Sequence, residues 1–192
     1  PFINMLSWLN QQIILPEALS EIEKMMQSSE VQIAEITKKM LNVSTLGALL
    51  FNVFLVAVVP ALGEELFFRG TIQRLLSDWK GALFAIWITA FVFSAIHMQF
   101  YGFLPRMLLG AFLGYLLLWS GSLWLPIIAH FVNNSVAVVF YYLKFNGVKV
   151  IDVEIIGTDD TLWLGIVSGI VCVFLGFLIR KNTRKATSEI QL

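Results

Sequence analysis

Pro60-Ala61-Leu62-Gly63-Glu64-Glu65-Leu66-Phe67-Phe68-Arg69 is the stretch on which the fold turns. Three charges close an apolar run in a chain of 192 residues that is 58% hydrophobic and only 14% charged. A soluble domain carries nearer a quarter of its residues as charges, so this composition belongs to an integral membrane protein. A charged side chain at the middle of a bilayer costs about 2.5–3.5 kcal/mol on insertion scales, so such residues read as functional and need partners. The chain has 2 histidines. Both, His97 and His130, stand in other apolar segments, and Asn134 follows one helical turn after the second. Two acids, two imidazoles and an amide in hydrocarbon point to a polar reaction centre inside a membrane.

Working outward, apolar segments of roughly 20 residues, the length that crosses a bilayer as a helix, predict five spans. They fall at Leu46–Leu62, Ala82–His97, Leu104–Ser120, Leu123–Leu143 and Leu162–Ile179. Ahead of them, Ile22, Met26, Ile33, Ile36 and Met40 recur at helical spacing among Glu, Gln, Ser and Lys. That pattern predicts an amphipathic helix from Pro16 to Leu41, on the membrane surface or against the bundle, with Pro16 in its first turn. The fold expected is all-α: a polytopic helical bundle with residues 1–42 as an amphipathic segment, 43–180 as the membrane core and 181–192 as a basic tail. The cluster Arg180-Lys181-Asn182-Thr183-Arg184-Lys185 sets the C-terminus in the cytoplasm by the positive-inside rule. Counting back leaves Arg74 and Lys80 inside. The loop with Asp152, Glu154, Asp159 and Asp160 and the amphipathic segment then lie outside. Pro1 is followed by nothing like a cleavable leader, which predicts that the natural protein begins earlier.

A net charge of zero argues against a nucleic-acid partner, and the lone Cys172 in an apolar run excludes a disulfide framework. Gly110-x-x-x-Gly114 and Gly165-x-x-x-Gly169 read as faces for close helix packing, and Trp79, Trp119, Trp124 and Trp163 as interface residues.

Helical spacing says how the polar residues meet. Glu65 and Arg69, four apart, share a face and form an ion pair, leaving Glu64 about 100° away as the less compensated acid. His130 and Asn134 share a face and offer two donors to one point. Phe93 and His97 do likewise, with the phenyl ring beside the imidazole. Pro60 and Pro126, each four residues before a polar centre, are expected to bend their helices and open room for water.

Glu64-Glu65-x-x-x-Arg69, Phe93-x-x-x-His97 and His130-x-x-x-Asn134, in this order and each in an apolar segment, resemble the three motifs of the CPBP family. That family comprises the CAAX prenyl-protein endopeptidases and their bacterial abortive-infection and bacteriocin-processing relatives. The resemblance implies an intramembrane endopeptidase in which Glu64 and His97 activate a water, with Glu64 as general base. It further implies that His130 and Asn134 stabilise the oxyanion, and that Glu65, Arg69 and Phe93 support the site. Its substrates would be membrane-associated peptides or proteins, in contact with membrane lipid, in a bacterial inner membrane. No cofactor is expected. Members have been described as metalloproteases, and a zinc site would draw on Glu64, His97 and His130. Yet the chain lacks His-Glu-x-x-His, and Asn134 is a poor zinc ligand, so a metal-free mechanism is favoured. The competing reading is a non-catalytic immunity or scaffold protein that binds a peptide or membrane-protein partner. A transporter or channel ranks third.

Overall fold

The computed structural model describes residues 1–13, 16–149 and 155–190, with the backbone alone at 183–190. The described residues form seven helices with short turns and no strand. These are α1 (Phe2–Gln11), α2 (Ser20–Leu41), α3 (Leu46–Lys80), α4 (Ala82–Ala95), α5 (Phe103–Ser120), α6 (Trp124–Phe145) and α7 (Leu162–Ile190). Four of them, α3, α5, α6 and the first part of α7, are long and apolar enough to cross a membrane. Large apolar side chains such as Leu50, Phe51, Phe54, Phe67, Ile128, Val173 and Phe177 stay exposed along these helices. Lipid is the natural solvent for that surface. The all-α bundle expected from composition is the fold observed.

The span boundaries need correction. The first helix does not stop at Leu62 but runs on to Lys80, 35 residues in all, or about 50 Å at 1.5 Å per residue. Glu64 and Glu65 therefore lie in its middle and not beyond its end. It continues through the charges because Glu65, Arg69 and Gln73, spaced four apart, all turn inward and are buried, while Leu62, Leu66 and Phe67 face outward. Two five-residue π-helical segments, Phe54–Val58 and Phe68–Ile72, flank the acidic pair. In contrast, α4 has only 14 residues, about 21 Å, and falls short of the roughly 30 Å of hydrocarbon. It ends at Ala95, so His97 lies in the turn beyond.

Gly81 makes the reversal from α3 to α4 with φ +86°, a value glycine alone adopts freely, and closes α3 with its N–H on Ser77 O at 2.9 Å. α4 then packs against the last turns of α3 and against α5. Ile86, Ala90 and Ala111 form the apolar core between α4 and α5. Ser94 Oγ, donating to Phe103 O at 2.6 Å, ties the end of one helix to the start of the next.

The two prolines differ: Pro126 costs its helix no bond, whereas Pro60 leaves a helical carbonyl without its donor, as its position predicted. Pro126 sits in the first turn of α6, where no intrahelical donor is lost. The carbonyl four residues before it, Ser122 O, accepts from Ser120 Oγ at 3.1 Å. Pro60 offers no N–H to Val56 O, which lies within the π-helical segment Phe54–Val58, and Asn134 Nδ2 supplies a donor to that carbonyl at 3.0 Å.

At the N-terminal end, a helix that sequence periodicity did not disclose, α1, packs on α5 and α7. The small-residue face of α7 receives it, with Met5 against Gly165 and Phe2 against Gly169. α2 begins at Ser20 after a single 3₁₀ turn at Glu17–Leu19, so Pro16 precedes that turn and is not inside the α-helix. Its Ile22, Ile33, Ile36 and Met40 remain exposed, which suits a helix resting on a membrane surface. Trp79, Trp124 and Trp163 are exposed near helix ends as expected, whereas Trp119 stacks on Tyr115, with ring centroids 5.3 Å apart. Asp152 and Glu154 lie outside the described residues.

The other small-residue face is a structural necessity. A Cβ on Gly110 would stand 3.2–3.3 Å from Phe93, the Ala90 Cα and Arg69, and one on Gly114 would stand 2.8 Å from Gln73 Oε1. Gly110→Val should lower stability by about 1–3 kcal/mol through overpacking. Gly47→Ala, where a Cβ meets nothing within 4 Å, should be neutral or slightly stabilising. Thermal denaturation of the two purified variants in detergent tests this contrast.

Candidate active site

The site is built on a buried ion pair. Arg69 Nη1 donates to Glu65 Oε1 at 2.8 Å, and both side chains are fully shielded from solvent (0% exposed). Desolvating two charges is costly unless their remaining valences are met, and here they are met in part: Glu65 Oε2 and Arg69 Nε are buried without a partner among the described residues, while the other Arg69 nitrogen is used. Arg69 Nη2 donates to Gly110 O at 2.9 Å, and its guanidinium lies 4.7 Å over the Phe93 ring. One turn further on, Gln73 Nε2 donates to Gly114 O at 3.1 Å. Two polar side chains four apart on α3 thus reach two carbonyls four apart on α5. That reach is possible because the glycines let the helices approach.

His130 joins this pair. Its Nδ1 lies 2.8 Å from Glu65 Oε1. A carboxylate oxygen next to Arg69 accepts, so Nδ1 carries the hydrogen and donates. His97 Nδ1 lies 2.7 Å from Phe93 O, and a carbonyl can only accept, so its tautomer is set the same way. Both imidazoles keep Nε2 for other work. His130 Nε2 stands 3.9 Å from Glu64 Oε2, too far for a direct hydrogen bond and within reach of a shared water. Phe93 sits between the two imidazoles, 5.1 Å from the ring of His97 and 6.2 Å from that of His130.

Glu64, His97, His130 and Asn134 line one cavity of about 400 Å³, together with Phe93, Pro60 and Arg106. Ile3 and Ser7 of α1 also line it. Glu65 and Arg69 lie behind this wall, completely buried. All seven residues singled out from the sequence thus gather at one place. One expectation changes. Asn134 Nδ2 donates to Val56 O and His130 Nδ1 to Glu65, so these donors serve two different partners and do not converge on one point. One amide hydrogen of Asn134 and the Nε2 position of His130 remain.

Arg106 was not foreseen. It is a basic residue within an apolar span, and the reasoning that singled out Glu64 applies equally to it. Motif spacing drew attention elsewhere. Among the described residues no group of three His, Cys, Asp or Glu side chains is arranged to hold a metal ion.

Residues 46–136 match the model of a family described as Type II CAAX prenyl endopeptidase Rce1-like. The matched segment contains all three motifs and bears out the resemblance read from them. A Bacillus subtilis (strain 168) protein described as "Uncharacterized protein YpbD" is 27% identical over 105 residues, 53% of this chain and 49% of that protein. The chain thus spans about half the length of the curated relative it matches. No solved structure matches.

The pair geometry makes a quantitative demand. Arg69→Met or Glu65→Gln alone strands a buried polar or charged group and should cost about 3–5 kcal/mol. The double variant should be markedly less unstable than the sum of the two, because neither charge is then left alone. A double-mutant cycle of detergent-solubilised protein reads this coupling, and simple additivity would rule out the shared network.

Proposed function

We propose, for a chain whose residues 46–136 are of the Rce1-like type, an intramembrane endopeptidase that hydrolyses peptide bonds of membrane-associated substrates. The observation that carries this reading is the shared cavity. The less compensated acid, Glu64, and both histidines line it, and each histidine has its Nδ1 already committed.

In the proposed reaction, Glu64 and the lone pair of His97 Nε2 hold a water. Glu64 takes one proton as the water oxygen bonds to the scissile carbonyl carbon. The carbonyl oxygen gains charge and is met by the free amide hydrogen of Asn134 and by His130. His130 donates from Nε2 when both of its ring nitrogens carry hydrogen, with Nδ1 on Glu65. Collapse breaks the C–N bond, and Glu64 returns its proton to the leaving amine. One oxyanion donor is worth about 3–4 kcal/mol of barrier, so Asn134→Ala should lower kcat by roughly 10²–10³. Phe93 and Pro60 keep the pocket apolar, which strengthens each of these interactions.

The proposed setting is a bacterial inner membrane with the C-terminus in the cytoplasm, supported by the apolar spans and the basic residues beyond α7's membrane segment. The proposed mechanism uses no metal. Hydrolysis by the purified protein should survive metal stripping, and inhibition by chelator that zinc specifically restores would overturn that part.

Glu64→Gln keeps shape and removes the base. Wild type and this variant, expressed in membranes, should differ in their membrane-associated peptides by mass spectrometry, with new termini present only when Glu64 is intact. Indistinguishable peptide profiles from two folded proteins would favour a non-catalytic binding role instead.

A further inference from the structure

Of the two imidazoles that line the cavity, His130 rides on α6, whereas His97 is carried by the turn between α4 and α5. α4 ends at Ala95, and the His97 N–H bonds back only three residues, to Ser94 O at 3.3 Å. The Phe93 carbonyl, which a continuing helix would give to that N–H, is left for the His97 ring, with Nδ1 at 2.7 Å. Met98 follows at φ +53°, a left-handed conformation that residues other than glycine disfavour. A turn of this kind keeps its shape through contacts from outside it.

Those contacts come from the two N-terminal helices. Asn10 of α1, buried, donates from Nδ2 to Phe100 O at 2.7 Å. Glu30 of α2 accepts the Tyr101 N–H at 2.7 Å, and Gln27, three residues earlier, donates to the Tyr101 hydroxyl at 3.0 Å. A carboxylate that accepts a backbone N–H makes a charge-assisted bond, roughly twice as strong as a neutral one. Glu30 is half-buried and lines, with Gln99, Tyr101 and Gly102 of the turn, a small cavity of about 190 Å³. By contrast, Glu21 on the same helix pairs with Lys24 on the open surface. Neither Asn10 nor Glu30 lines the reaction cavity, and both lie outside the residues 46–136 that match the family.

We infer that Asn10 and Glu30 are positioning residues for His97: they pin the α4–α5 turn from α1 and α2, and so hold the imidazole at the cavity that Glu64 and His130 line. The consequence for catalysis rests on the endopeptidase reading above. The amphipathic α2 is then a strut of the active site as well as a helix for the membrane surface, and the site is complete only when α1 and α2 are docked.

The test uses the full chain in lipid nanodiscs with isotope-labelled histidine. The sequence has 2 histidines, so their ring resonances in the NMR spectrum are assigned by the signals lost in His97→Gln. Glu30→Ala and Asn10→Ala should each shift or broaden the His97 resonances and leave those of His130 in place, because His130 is held by Glu65 on α3. Glu30→Gln, which keeps an acceptor oxygen, should restore most of the wild-type spectrum, and Glu21→Ala should alter neither histidine. With an internally quenched apolar peptide, Glu30→Ala should lower kcat on the order of tenfold at unchanged KM, since displacing a reacting group costs rate through geometry. An unmoved His97 resonance overturns the inference, as does an equal change at both histidines, which would mean general loosening. A rise in KM at unchanged kcat also overturns it, by assigning Glu30 to substrate binding. Should Glu30→Ala fail to fold, Gln27→Ala removes only the bond to the Tyr101 hydroxyl and carries the same test with a smaller shift. A selective His97 shift in a protein that cleaves no peptide would keep the positioning role and discard the protease.

Discussion

A single carboxylate oxygen organises this protein: Glu65 Oε1 accepts from Arg69 at 2.8 Å and from His130 at 2.8 Å. In a medium without water each of these groups would be costly alone, so all three must arrive together. They come from two helices, α3 and α6, and Arg69 reaches a third through the Gly110 carbonyl. The pair is therefore a constraint on packing as much as a stabilising contact. α3, α5 and α6 can adopt few other arrangements without stranding a charge in hydrocarbon. The functional consequence is local. With Nδ1 of His130 committed to Glu65, the other ring nitrogen is turned toward Glu64 and the cavity.

The same economy recurs around the cavity. Asn134 meets a carbonyl that Pro60 cannot serve, and His97 is oriented by Phe93 O in its own turn. Asn134, His97 and His130 thus each use one polar group for positioning while lining the cavity. Preorganisation of this kind is what a reaction in a low-dielectric site requires, because the donors need not reorient as charge develops. Arg106 lines the same cavity, with Nη2 donating to Gln99 and Nη1 buried without a partner among the described residues.

Legibility in the sequence divided along physical lines. Four of the five expected spans, the amphipathic α2 and the shared faces of Glu65 with Arg69, Phe93 with His97 and His130 with Asn134 were readable because each rests on local periodicity or on the cost of charge in lipid, whereas the remaining expected span is the 14-residue α4, too short to cross. The uninterrupted course of α3 through its charges was not readable, since it depends on Glu65, Arg69 and Gln73 finding partners on α5 and α6. For the same reason α4 looked two residues longer than it is, His97 being apolar in context but placed in a turn. α1 was hidden because its packing face is met by Gly165 and Gly169 far along the chain. Arg106 carries no motif spacing to flag it.

By itself, the sequence determined that this is an all-helical membrane protein with acids, imidazoles and an amide in its apolar interior, since hydropathy and insertion cost depend on composition along one segment at a time. Only the tertiary structure decided which nitrogen of each histidine is committed, which of two adjacent glutamates is locked behind the cavity wall and which lines it, and which arginine lines the cavity. These are questions of distance between groups 41 and 65 residues apart in the chain. A hydrogen bond of 2.8 Å between such partners is a property of packed helices, where glycine faces set the approach, and no local pattern encodes it.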